Sequence, residues 1–439
     1  MNFYEFNNTV FISKFNTISL LNISKKTNNE NFIKYLKEIS EKQASNTGGF
    51  VFVLNSLQPE FSRNSFLVTH EDFLFIEKED INLLKTPLKP SNQNVPLWLK
   101  QFISIGKVIS LNVSYDNCTE PFIFFQGNMI LNEYKYSDQG YGNKKYRINL
   151  IGLGDVGGTL ATGLRLLGGD CLNAIGLFDI DENKIKRWQC ECGQILSPCL
   201  EDKFPQVIAL KEAELFNCDF FVFCVSVGVP TVGTEIQDIR LAQFKGNSKI
   251  IKHYSKLARS LNYKGIFAVV SDPVDLLCKV VSEEGLSPSQ IRGYGLGVMN
   301  ARAVYYADQS KKTSHYSREG RAFGPHGEGL IIVDSIKNYN EELSDYLTIK
   351  TKRANLEIRD LGFKPYIAPA LSSGSLSIIA TIKSQWHYSA TFLGGTFMGS
   401  RNRLIRGCTE LETFELNDTL FSKLENTYND LNSQYNSFI

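Results

Sequence analysis

Closely spaced glycines at the end of an apolar run are the clearest chemical signal in this chain. The run INLIGLG leads into Gly152-Leu-Gly154-Asp-Val-Gly157 and on into GTLATGLRLLGG, which has helical character. In a strand–turn–helix setting the first glycine permits the tight turn and the second lets the backbone approach a pyrophosphate. The third lets helix and strand pack closely. The next apolar run, AIGLFDID, carries Asp179 at its end, where a carboxylate can accept hydrogen bonds from both hydroxyls of an adenine ribose. A carboxylate there repels a 2′-phosphate, so the expected cofactor is NAD rather than NADP. Gly228, closing the run DFFVFCVSVG, is expected as a further cofactor contact. The plainer alternative makes Asp179 a cap for the helix DENKIKRW and the glycines simple turns. Asp155, an acid inside the loop, must point away from the phosphates. Cys190, Cys192 and Cys199 form the one cysteine cluster, but three thiols with no nearby His and no paired C-x2-C spacing do not make a zinc site. No metal is expected, and the nine cysteines read as reduced.

These residues must be positioned by packed domains. A chain of 439 residues that is 43% hydrophobic buries a sizeable core and divides into two or three domains. Lys+Arg of 47 against Asp+Glu of 46 leaves a net charge of +1, so no global field favours nucleic acid or an anionic membrane. No apolar run reaches the roughly 18 residues of a membrane span, and the start has no export signal, so a cytoplasmic protein with a small-molecule partner is expected. From Tyr146 the runs YRINLIGLG, AIGLFDID, DFFVFCVSVG and GIFAVVSDP recur, apolar on both faces and separated by helix-length segments. That pattern predicts a Rossmann-type doubly wound parallel sheet over 146–290, followed by an α+β substrate domain over 291–439. Residues 1–145 read as an extra α+β domain of unassigned role. VFIS, GGFVFVLNSL, FLVTH and FLFIE look like strands there, Asn31 to Lys42 has helical spacing, and Thr86 to Pro96 reads as an ordered loop. A closing helix is expected through Phe421, Leu424, Tyr428, Leu431 and Tyr435.

From about residue 146 onward the chain resembles the lactate/malate dehydrogenase superfamily. VVSDPVDLL is similar to that family's V-S-N-P-V-D, GYGLGVMNAR to its G-x-G-T-x-L-D-S-A-R, and FGPHGEG to its G-E-H-G-D-S. DIRLAQFKGNSKII is similar to the segment in which a loop arginine opens a long helix. The resemblance implies a 2-hydroxy acid type dehydrogenase, usually a homodimer or homotetramer, acting on a small carboxylate. It makes His326 the acid/base, Arg302 the bidentate clamp on the substrate carboxylate, and Arg240 the arginine that closes over the site and polarises the carbonyl. A planar guanidinium matches a carboxylate fork, and an imidazole suits reversible proton transfer. His70, His253, His315 and His387 have no such support and read as surface or satisfied buried residues.

The chain also departs from the pattern. Where the family has an aspartate that orients the catalytic histidine, this chain has Met299, leaving Glu328 as the nearest acid in sequence. Where the family has an asparagine that donates to the substrate oxygen, this chain has Asp272, which only accepts when ionised. Either burial keeps Asp272 protonated or the reacting centre bears nitrogen. Thr231 and Val232, near the position that separates malate from lactate enzymes, bring no second arginine, which disfavours malate. Ser372 and Ser373 are expected on the substrate side, leaving room for a bulkier substrate. Two rivals remain: a catalytically degenerate NAD-binding regulatory or accessory protein, and an NAD- and metal-dependent glycosidase, whose metal-binding Cys GYGLGVMNA lacks.

Overall fold

A computed structural model of the chain describes residues 1–25, 27, 29–86, 94–115, 145–199, 203–227, 239–405 and 407–438. It divides into two compact units, one of Met1–Gly142 with Leu393–Gly395 and Leu404–Glu415, the other of Asn143–Phe392 with Thr396–Arg403 and Leu416–Ile439.

In the first unit β1 (Asn2–Phe6), β2 (Thr9–Ser13), β3 (Lys37–Ile39), β4 (Val51–Asn55), β5 (Ser65–Leu67) and β6 (Val108–Asn112) form a mixed sheet in the order β3-β1-β2-β4-β6-β5. β2, β4 and β6 run parallel at its centre. Phe11 and Phe52 face each other across β2 and β4 and stack with ring centroids 5.5 Å apart. Two expectations fail here. The helix over Asn31 to Lys42 stops at Lys34, because Lys37–Ile39 pair with β1 and Ser40 then opens a new short helix with its own capping box to Gln43. FLFIE is not a strand, since Phe73 ends a 3-10 turn whose Asp72 N–H is accepted by the His70 ring. Residues 87–93 of the expected loop lie outside the described residues.

In the second unit β7 (Tyr146–Ile151), β8 (Leu172–Phe178), β9 (Gln206–Ala209), β10 (Phe220–Phe223), β11 (Ile266–Val269) and β12 (Ile291–Gly293) form a parallel sheet in the order β9-β8-β7-β10-β11-β12. FFVF of β10 is wholly buried, as a strand covered on both faces must be. The strand order reverses beside β7, and in such folds ligands bind at the carboxyl ends of the strands at that point. β13 (Arg321–Phe323) and β14 (Ile331–Val333) make an antiparallel pair, after which β15 (His387–Leu393) adds antiparallel to β12 and β16 (Thr396–Ile405) follows it. β17 (Cys408–Leu411) belongs to the first unit, where Cys408 is part of the core. The closing helix, Asp418–Phe438, forms as expected, burying Leu424, Tyr428, Leu431 and Tyr435. Among the described residues no helix is long and apolar enough to cross a membrane.

Candidate active site

The turn after β7 is built for a close approach of its backbone to something else. Gly152 has φ +92°, and a Cβ there would lie 2.7 Å from the backbone of Cys224 and Val225. At Gly157 a Cβ would fall 1.9 Å from the Gly152 carbonyl oxygen, so the helix Asp155–Leu167 packs on the turn only because that position has no side chain. Gly154 differs: no described protein atom lies within 4 Å of its Cβ position. It is the N-cap of that helix and contributes no side-chain cap, so the first N–H groups point outward beside open space. Such a cradle fits the pyrophosphate of a dinucleotide. Asp179, beyond β8 and buried, accepts the Leu153 N–H at 2.7 Å through Oδ2 and the Asp181 N–H at 3.1 Å through Oδ1. Trp188 donates its indole N–H to the Leu153 carbonyl at 3.0 Å. Asp155 pairs with Lys364 at 3.0 Å.

A second group gathers at the end of β11 and between β13 and β14. Asp272 Oδ1 lies 3.0 Å from His326 Nδ1. An ionised carboxylate only accepts, so the bond to it puts the ring proton on Nδ1 and leaves Nε2 as the other nitrogen. Nε2 is buried and has no hydrogen-bond partner among the described residues. His326 packs against the start of the helix Leu296–Ala307, where a Cβ at Gly295 would fall 2.9 Å from the His326 Cβ. Arg302, on that helix, directs Nη1 to the Met299 thioether at 3.5 Å and Nη2 to the Asn355 amide oxygen. Burial pulls its pKa below the ordinary guanidinium value, while Tyr306 and Asp272 pull it back up. A half-buried cation whose hydrogen-bond partners are neutral can take an anion as a further partner.

Residues 146–293 match the family described as lactate/malate dehydrogenase, NAD binding domain. This part of the chain is a lactate/malate dehydrogenase NAD-binding domain. L-lactate dehydrogenase 2 of Staphylococcus aureus (strain JH9) is 25% identical over 244 residues, spanning 52% of this chain and 73% of that protein. Among solved structures, MGS-M5, a lactate dehydrogenase enzyme from a Medee basin deep-sea metagenome library, shares the fold with TM-score 0.56 at 20% identity, covering 67% of this chain and 99% of that one. The minor L-lactate dehydrogenase of Enterococcus mundtii gives TM-score 0.58 at 19% identity, covering 67% and 98%.

Within this dehydrogenase-like unit Gly152, Gly154, Gly157 and Asp179 come together at one strand end, and His326, Asp272 and Arg302 at another. Asp272, expected at the place of an amide, instead lies at hydrogen-bond distance from the histidine, the contact expected of an acid at Met299. Met299 is instead a core residue. Glu328 does not serve His326: it pairs with Lys352 at 2.8 Å. Ser373 is buried and its hydroxyl is spent on backbone, accepting from the Val298 N–H at 2.8 Å and donating to the Gly295 carbonyl at 2.7 Å. Ser372 accepts the Ser377 hydroxyl through its carbonyl. Gly228, Thr231, Val232 and the side chain of Arg240 lie outside the described residues. His387 is a satisfied buried histidine, bonded to Thr381 and to the Gln385 carbonyl. Among the described residues no cluster of His, Cys, Asp and Glu could hold a metal, and their cysteines are free. Asn355 and Trp188 escaped the sequence reading, since neither belongs to a spacing pattern and each acts through a fold-dependent contact.

Proposed function

We propose that the chain is an NAD-dependent dehydrogenase that interconverts a 2-hydroxy acid and a 2-oxo acid. The observation that carries this reading is the His326–Asp272 pair at 3.0 Å, which leaves a buried and unpartnered Nε2. NAD, when bound, supplies the hydride acceptor, and NADH the donor. Gly152, Gly154 and Gly157 bring the backbone to the pyrophosphate, and Asp179 faces the ribose hydroxyls. Arg302 grips the substrate carboxylate. His326 takes the hydroxyl proton on Nε2 during oxidation and returns it during reduction, while Asp272 keeps the ring oriented and stabilises the imidazolium. Arg240 closes over the substrate, and Ser372 leaves room for a substituent larger than a methyl group.

Because Asp272 is engaged by His326, a carbonyl or hydroxyl centre needs no protonated aspartate and no nitrogen. The nitrogen-bearing substrate becomes the second reading, favoured by the 46% exposure of the Asp272 side chain. Purified protein with NADH, assayed against 2-oxo acids of increasing size with and without ammonia, tests both. Turnover of at least one 2-oxo acid without ammonia is expected, and His326→Gln lowers kcat by about 100-fold or more with NADH still bound. Tight NADH binding with no turnover of any of these compounds overturns the proposal in favour of a non-catalytic role.

A further inference from the structure

The long helix Ile239–Ser260 carries Asn247, which is wholly buried. Its amide is used at both ends. Oδ1 accepts the Val227 N–H beyond β10 at 2.9 Å, and Nδ2 donates to the Asp272 carbonyl beyond β11 at 2.7 Å. A flipped amide would set donor against donor and acceptor against acceptor, so only one orientation is open to it. The two groups lie beyond the carboxyl ends of neighbouring parallel strands. Gly246 keeps the helix close to them, since a Cβ there would fall 2.6 Å from the Val227 side chain. Asp272 then reaches His326 through its carboxylate at 3.0 Å. That carboxylate is 46% exposed, and the Asn247 amide holds the backbone that carries it.

We propose that Asn247 is a positioning residue: by holding the Asp272 carbonyl it sets the carboxylate that orients His326. Its catalytic consequence rests on His326 being the acid/base. Asn247 is wholly buried with its amide used by Val227 and Asp272, so its effect on His326 passes through Asp272. An amide that merely satisfied buried backbone would affect stability and leave the imidazole untouched.

The test reads the imidazole directly. Nitrogen-edited NMR of the full chain follows the His326 Nδ1–H resonance, identified by its loss in His326→Gln, with Asp272→Asn marking its position once the carboxylate is gone. Asn247→Asp keeps the acceptor for Val227 and removes the donor to Asp272. Asn247→Ser serves if the buried carboxylate is not tolerated. In the folded variant the resonance is expected to move toward its Asp272→Asn position or vanish, and kcat to fall about 10- to 100-fold at nearly constant NADH affinity. A resonance at its wild-type position in a folded Asn247 variant overturns the inference, whatever the melting temperature does. If it moves while His326→Gln loses no activity, the coupling through Asn247 stands and the acid/base assignment falls.

Discussion

Gly154 and Gly157 make opposite predictions from neighbouring positions. Alanine at Gly157 would place its Cβ 1.9 Å from a carbonyl oxygen, a contact that needs about 1 Å of backbone displacement. Overpacking of that kind costs about 1–3 kcal/mol, which lowers the melting temperature by roughly 3–10 °C in a domain of this size. At Gly154 the Cβ meets no described protein atom, and its φ of −75° with ψ of −164° is open to any residue. The folded chain therefore loses no more than about 1 kcal/mol, the cost of alanine at a helix N-cap. The methyl instead fills the space a pyrophosphate needs. Retreat of the phosphates weakens charge-assisted hydrogen bonds from backbone N–H groups worth about 1.5–3 kcal/mol each, so NADH affinity falls about 10- to 100-fold. NADH fluorescence titration and thermal unfolding on both variants separate the effects. Undiminished NADH affinity in folded Gly154→Ala would refute the placement of the dinucleotide at this turn.

Two further outcomes follow from the same unit. Asn355→Asp puts a carboxylate on Arg302 and neutralises the anion site, so KM for the substrate carboxylate should rise about 10- to 100-fold with NADH affinity kept; an unchanged KM would remove Arg302 as the clamp. His387, fully buried and beside Arg292, has its pKa lowered from 6.5 to about 3. The unfolded chain takes up that proton first, so the contribution to stability is complete above pH 6.5 and is lost as the pH falls below it. Between pH 6.5 and 5 the loss is about 2 kcal/mol, and denaturant unfolding of His387→Gln should show a correspondingly flatter dependence over that window. Parallel curves for the two proteins would show that His387 does not resist protonation.

The parallel sheet was legible because strands buried on both faces must be apolar throughout, so YRINLIGLG and DFFVFCVSVG announce themselves without reference to anything distant. The glycine turn was legible for a related reason: part of its constraint is local, the positive φ of Gly152 and the approach of Gly157 to the Gly152 carbonyl, although Gly152 also meets the distant backbone of Cys224 and Val225. Local reading failed where a tertiary partner outweighed periodicity. Lys37–Ile39 lie in a segment of helical spacing, but pairing with β1 draws them into a strand. Cys408 gives no sign in sequence that it completes the core of the first unit. The site shows the same division. Residue types and motif order brought His326, Arg302 and Asp272 forward as a set, and Met299 and Asp272 stood out as departures. Only the folded chain joins Asp272 to His326, residues 54 apart in sequence. Sheet order places the end of β11 against the loop between β13 and β14, and a carboxylate acts on whatever lies within hydrogen-bond reach, not on what lies near it in sequence. The sequence by itself determined the nucleotide-binding fold and the inventory of reactive groups. The tertiary structure decided which acid serves the histidine, which neutral side chains flank the arginine, and that Ser373 braces a helix.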